Sequence, residues 1–311
     1  MESLATVETR ANARRPCADL PGLATEPINI DRSTAGCGHA ISVDVEDWQQ
    51  SVFDHSLPVS QRFVTGTRRI LDLLDKTGTR ATFFVLGNVA VKVPDLIREL
   101  AACGHEIQTH GYDHTEIHTM TPEAFRRDLL RAKGTLEDIL GSEIVGYRAP
   151  RFSIDRKTIW ALDVLAECGF RYDSSIFPMR IRGYGIAGWP LEPVRVRTSL
   201  GNGITEVPVT VGKTLNRHFP LGGGGYFRLL PSRIIIAQIK RLDKSRTPSI
   251  LYCHPHEFDP EAFAELPFKV PVTRRIHQGL GRRSFARKLE SLLGEFSFGP
   301  IGDLLAKTAG F

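Results

Sequence analysis

Histidines and clustered acids are the residues of this 311-residue chain whose types and spacing could do chemistry. His110-Gly-Tyr-Asp-His114 sets two imidazoles at i and i+4. On a helical turn they would share a face, with Cβ atoms about 5–6 Å apart. Two nitrogens so placed could meet one metal at about 2.0–2.1 Å. The Glu of the HExxH metalloprotease signature is absent. Asp44-Val-Glu-Asp47 adds three carboxylates in four residues. In an extended strand Asp44 and Glu46 face one side and Asp47 the other. One acid could ligate metal while another stays free as a base. Two histidines and a carboxylate leave a position open for water, the pattern of a hydrolytic site. Arg148 beside such acids would hold an Asp ionised and oriented. His254, followed by Pro255, suits a general acid, since an imidazole ordinarily titrates near about 6.5. Read singly, each of these has a plainer explanation: a polar loop, a solvated acidic turn, a surface arginine, a buried histidine. His105, His118, His218 and His277 read as structural or exposed.

Position in the chain argues for function. Short apolar runs, 39–43, 79–86, 105–109, 144–147, 170–172, 204–209 and 249–253, alternate with helical patterns. Residues 64–77 carry one apolar face closed by Gly78, and Thr121-Pro122-Glu123 opens a helix that runs to Gly141. Further helices are expected from Val93-Pro94 to Cys103, from Asp155 to Glu167 and at about 231–243. Alternating βα units imply a parallel sheet, open or closed into a barrel. Five of the runs end in reactive groups: Asp44 with Glu46 and Asp47, His110 with His114, Arg148, Asp173, and His254. In a parallel β/α barrel those ends share one rim, where active sites sit. Residues 179–203 and 212–230 break the rhythm and read as long loops. Gly222-Gly-Gly-Gly225 lacks the Lys and Ser/Thr of a P-loop, so it reads as backbone approaching a ligand closely.

Composition excludes other classes. Hydrophobic residues at 41% and charged residues at 24% are ordinary globular usage. No apolar run approaches the ~18–20 residues of a membrane span. Residues 269–311 carry eight basic and three acidic residues, which accounts for the whole net charge of +5. A nucleic-acid-binding domain would spread its basic stripe more widely, so no nucleic acid is expected. The five cysteines are scattered without a CxxC pair, which predicts free thiols.

Five segments together resemble the polysaccharide deacetylases, carbohydrate esterase family four with its NodB-homology domain. They are Ser42–Trp48, His110–His114, Arg148–Phe152, Asp173–Ile176 and Leu251–His254. A narrower likeness, to exosortase-associated exopolysaccharide deacetylases, adds Gly222–Pro231, His254–Glu257 and Phe296–Pro300. The resemblance implies a distorted (β/α)7 TIM-like barrel at 39–268. A disordered tail at 1–38 and a basic extension at 269–311, packed on the barrel, would flank it. It also implies a divalent metal, zinc foremost with cobalt, manganese or nickel as alternatives, on His110, His114 and either Glu46 or Asp47. Many family members have adjacent aspartates where this chain has Asp44-Val45. The base is therefore carried to Asp44, and the same-face argument favours Glu46 as ligand. Arg148 would orient Asp44, Asp173 would poise His254 as acid, and a backbone N–H near Arg151 would face the oxyanion. Arg151, Phe152, Trp48 and Tyr226 would touch substrate.

The activity so implied is removal of N-acetyl groups from amino sugars of an exopolysaccharide or its precursor, with release of acetate. Alternatives are an allantoinase-like hydrolase of small amides and an inactive glycan-binding barrel. An apolar core after a basic start is missing at the N-terminus. The expected place is therefore the cytoplasm or the inner membrane's face, beside polymer-building machinery.

Overall fold

The computed structural model describes residues 20, 23–31 and 38–308, apart from Arg182, Ser199, Asn216 and Pro267. Seven strands run parallel: β1 (His39–Val45), β2 (Thr82–Val85), β3 (Glu106–Thr109), β4 (Gly146–Tyr147), β5 (Tyr172–Asp173), β6 (Gly203–Glu206) and β7 (Ile250–Cys253). They lie in the order β6-β5-β4-β3-β2-β1-β7. Each corresponds to one of the seven apolar runs. The ring closes between β7 and the chain beyond β6 through isolated hydrogen bonds rather than a ladder. Thr210 N donates to Ile250 O (3.0 Å), Gly222 N to Thr210 O (2.7 Å) and Tyr252 N to Gly222 O (2.7 Å). This is a distorted (β/α)7 barrel.

Gly222 and Gly223 are required at that seam. A Cβ on Gly223 would lie 2.3 Å from Tyr252 O, and one on Gly222 2.9 Å from Thr210 N. The close approach expected of this glycine run is therefore made to the barrel wall, and Gly224 and Gly225 alone reach the cleft.

Strand alternation sorts the core. Ile41, Val43 and Val45 of β1 join the outer cluster under the helices. Ala40 joins Phe84, Tyr172 and Ile250 inside the barrel. Helix Ile301–Leu305 plugs the lower mouth with Ile301, Leu304 and Leu305. Helices Arg62–Lys76, Pro94–Ala102, Pro122–Leu140 and Ser232–Lys244 cover the outside. Thr121 caps its helix by accepting from Ala124 N at 3.2 Å, and Gly141 ends it at φ 66°. Only Ala161–Glu167 of the helix expected from Asp155 is regular. Asp155 instead holds a turn by accepting from Lys157 N at 2.7 Å.

Two expectations fail. The N-terminal segment is not wholly a tail, because Ala24–Pro27 pairs antiparallel with Val194–Arg197; most of 1–38 lies outside the described residues. The supposed loops at 179–203 and 212–230 also hold strands. Val194-Arg-Val-Arg197 alternates and pairs with β6, and Val211–Thr214 forms a hairpin with Arg217–Pro220. Both runs are short and follow Gly- and Pro-rich sequence that hides them. At the other end, helix Arg282–Glu295 buries Phe285, Leu289, Leu292 and Leu293. Among the described residues no helix is long and apolar enough to cross a membrane.

Candidate metal centre and active site

Asp44 lies near the C-terminal end of β1 and faces the barrel axis. Its Oδ1 accepts from Arg148 Nη1 at 2.7 Å. Arg148 is fully buried. It also donates to Ser42 Oγ (2.7 Å), Ser174 Oγ (2.8 Å) and Ser174 O (3.1 Å), with its guanidinium 4.3 Å from the Phe84 ring. Every partner is a fixed acceptor or a flat apolar face, so the guanidinium sets the direction of the Asp44 carboxylate.

Glu46 lies two residues on, as the same-face argument requires. Its Oε2 stands 2.6 Å from His114 Nε2 and 3.9 Å from His110 Nε2. One ligand atom from each of these three buried side chains lies within 4.8 Å of the others. Burial opposes the charge of Glu46, yet His114 first, then His254 and His110, holds its pKa down at about 2. Burial pushes His110 down to about 4, leaving a neutral ring that can act as a ligand. Nδ1 of His110 faces Arg148 O at 2.8 Å. With Nδ1 donating there, Nε2 is turned inward as a lone pair, the usual support of a metal-ligating histidine. The side chains fit a divalent cation.

The two histidines do not meet on a helix. Gly111 has φ 84° and His114 φ 67°, so the loop doubles back. Gly87 N and Asn88 N donate to Gly111 O (3.0 Å) and Tyr112 O (2.9 Å), and Tyr112 N donates to Asp128 Oδ2 (3.1 Å). The i, i+4 spacing thus brings the two imidazoles together through a loop, not across a helical face.

Asp47 is corrected as a ligand. Past β1 the chain enters the turn Gln49–Phe53. The Asp47 carboxylate accepts from Gln49 N (3.1 Å), Ser60 Oγ (3.1 Å) and Ser60 N. The same turn takes Trp48 away from the cleft. It is buried, stacked on His256 (5.7 Å between centroids) and lying under Arg282 (4.3 Å), so it supports the site without contacting substrate.

His254 Nε2 stands 3.9 Å from Asp44 Oδ2, the carboxylate oxygen that Arg148 leaves free. Its partner is Glu257. Oε2 of Glu257 lies 3.4 Å from His254 Nδ1 and accepts from His254 N at 3.1 Å, while Arg228 Nε faces Oε1 at 3.2 Å. Burial alone would lower the His254 pKa; Glu257, then Glu46 and Asp44, raise it to about 9. Sequence reasoning missed Glu257 and Arg228, although His254-Pro-His-Glu257 carried the i, i+3 signal. Asp173, expected at His254, bonds Ser175 Oγ and Glu206 instead. It is opposite Glu206 in the register of β5 and β6. Burial pushes both carboxyls up, so the pair holds a proton.

Asp44, Glu46, His110, His114 and His254 floor a cleft of about 550 Å³. Arg151, Phe152, Tyr184, Tyr226 and Tyr252 form part of its walls. Arg151 (φ 53°) and Phe152 (φ 53°) are both left-handed, a strained corner that lifts the Arg151 side chain toward Glu116 (3.2 Å). Phe152 packs on Tyr252, ring centroids 5.0 Å apart.

Residues 51–172 match the family model for polysaccharide deacetylase, and residues 174–306 match that of a domain of unknown function, DUF3473. Residues 51–172 therefore carry a polysaccharide deacetylase domain. Among curated relatives, the chain is 33% identical over 133 residues to the peptidoglycan deacetylase-like protein FGM2 of Gibberella zeae, across 42% of this chain and 38% of that one. It is 35% identical over 86 residues to the peptidoglycan-N-acetylglucosamine deacetylase of Bacillus cereus, across 28% and 29%. The chain thus spans well under half the length of these deacetylases. A Mycobacterium smegmatis structure described as a polysaccharide deacetylase has the same fold, with TM-score 0.62, 19% identity, and coverage of 91% of this chain and 94% of that one. Asp44 and Glu46 precede both matched spans, and only the geometry ties them to His110, His114 and His254.

Proposed function

We propose that this chain is a divalent-metal-dependent N-deacetylase that hydrolyses the acetamido group of amino sugars in an oligo- or polysaccharide. One observation carries the reading. Glu46, His110 and His114, the Asp44–Arg148 pair and His254 converge on one cleft, with Arg148 at one oxygen of Asp44 and His254 nearest the other.

Glu46, His110 and His114 would hold the cation, which when bound supplies Lewis acidity to the amide carbonyl and its attacking water. Asp44, aimed by Arg148, takes a proton from water as its oxygen adds to the carbonyl carbon. His254, protonated because Glu257 faces it, gives its proton to the nitrogen as the C–N bond breaks. The products are acetate and a free amine. Asp44 then holds the proton that His254 has lost, and the short span between Oδ2 and Nε2 (3.9 Å) lets it return. A backbone N–H at the Arg151 corner would steady the oxyanion. Phe152, Tyr184 and Tyr226 offer flat faces to sugar rings.

The names of the relatives support an N-acetylglucosamine-type unit. The narrower sequence likeness supports an exopolysaccharide or its precursor, handled in the cytoplasm beside the synthesis machinery. Acetate release from N-acetylglucosamine oligosaccharides, with chelator and then added zinc, cobalt, manganese or nickel, tests the reading. Turnover that stops with chelator and returns with metal supports it. Absence of turnover under every metal, in protein that binds the oligosaccharide, would turn the reading to a glycan-binding barrel.

A further inference from the structure

Helix Val272–Gly279 presents its polar side to the protein and its apolar side to solvent. Arg274, His277 and Gln278 line the cleft. Arg274 donates to Val52 O at 3.0 Å and lies 4.8 Å over the Phe53 ring. Val272 and Ile276, one turn apart on the other side, are 72% and 59% exposed, and Leu280 at the helix end is 56% exposed. No residue of this helix is buried. Eight residues that include Val, Thr, Ile and Gly make a helix of marginal stability in water. The outward apolar stripe is therefore where a partner would stabilise it.

Charge states what kind of partner. Residues 269–289 contain seven Lys and Arg and no Asp or Glu. Lys269, Arg274, Arg275, Arg283 and Arg287 of these are exposed. Beside the stripe lies a groove of about 440 Å³ whose walls include Phe263, Arg275, Leu280 and Arg283. Glu261 also borders it but already faces Arg62 at 3.9 Å. Among the described residues no carboxylate pairs with Arg275 or Arg283. Among the described residues these two guanidiniums thus have no counter-charge, Arg275 lying 5.6 Å over the Phe263 ring, at a groove directly beside an apolar stripe.

We propose that this face docks on an anionic lipid bilayer. Val272, Ile276 and Leu280 enter the boundary between headgroups and acyl chains, and Arg275 and Arg283 take lipid phosphates at the groove. Basic residues flanking an apolar helical face are what an interfacial helix requires. A second copy of this chain fits poorly, because a two-fold contact would set one cationic segment against its like. Since Arg274 and His277 of the same helix line the cleft, docking would bring the cleft mouth beside the lipid surface.

Flotation of the full chain with vesicles tests this. One set is phosphatidylcholine alone and the other contains phosphatidylglycerol as well. Binding is expected only to the second, falling steeply as salt rises. Arg275→Gln and Arg283→Gln should each weaken it about fivefold, the worth of one cation near an anionic membrane. Ile276→Ser should weaken it at unchanged salt dependence, and none of the three should alter the thermal melt. Equal binding to both vesicle sets, no binding, or wild-type binding by the variants would overturn the proposal. So would a dimer in sedimentation velocity that Ile276→Ser dissociates, which would assign the face to a second copy.

Discussion

Glu257 stands 3.4 Å from His254 Nδ1, and Asp173 does not touch that ring. The carboxylate that governs the acid lies three residues along the same turn, in a buried pair with Arg228. Burial would lower the His254 pKa, and Glu257 leads the groups that raise it to about 9. A general acid works while protonated, so activity is retained below its pKa and lost as pH rises through it. Glu257→Gln should move the alkaline limb of kcat down by about one to two pH units, compared at equal metal loading. Asp173→Asn should leave that limb in place. A limb that moves for Asp173→Asn and not for Glu257→Gln would reverse the assignment.

Ligand and base separate in a second set of variants. His110→Ala, His114→Ala and Glu46→Gln should lose bound metal and activity together. Asp44→Asn should keep the metal and lose activity by about 10²–10⁴-fold, the usual worth of a general base. Asp47→Ala should keep both, with a stability loss of about 1–2 kcal/mol from the caps on Gln49 and Ser60. Metal content by elemental analysis beside turnover decides each. Loss of metal in Asp44→Asn would mean that the two acids have exchanged roles.

Arg148 ties the site to the fold. Asp44, Ser42 and Ser174 all depend on its guanidinium. Arg148→Met should leave Asp44 buried without its partner and destabilise the barrel by about 3–5 kcal/mol. Urea denaturation measures it, and a cost under about 1 kcal/mol would show that Asp44 finds another donor.

How much of this was legible depends on how local each relationship is. The seven strands showed as apolar runs between turn signals, and the barrel rim then gathers Asp44, His110, Arg148 and His254 whatever the loops do. Glu46 followed from strand alternation. Asp173 failed because its neighbour is set by register. It lies opposite Glu206 on the next strand, 33 residues away in the sequence, and a long insertion hides that register. The Asp47 alternative lapsed by the same alternation that favoured Glu46, and Trp48 failed because the chain turns away at Gln49–Phe53. The paired histidines were visible, but the loop that joins them depends on φ 84° at Gly111, which spacing alone does not disclose.

The Asp173–Glu206 pair gives a stability test independent of turnover. Burial pushes both carboxyls up in the folded chain. The folded protein therefore keeps a proton that the unfolded chain releases near about pH 4. By linkage the stability this contributes is complete below that pH and is lost as pH rises through the folded values. Glu206→Gln removes the ionisation, while its amide oxygen can still accept from Ile176 N, as Glu206 does at 2.8 Å. The variant should be more stable than the parent at pH 8, by about 1.4 kcal/mol for every tenfold by which folding tightens the hold of Glu206 on its proton, and nearly equal to it at pH 4. Urea titrations at the two pH values read the difference. Parallel stability profiles for parent and variant would show that Arg148 already neutralises the pair.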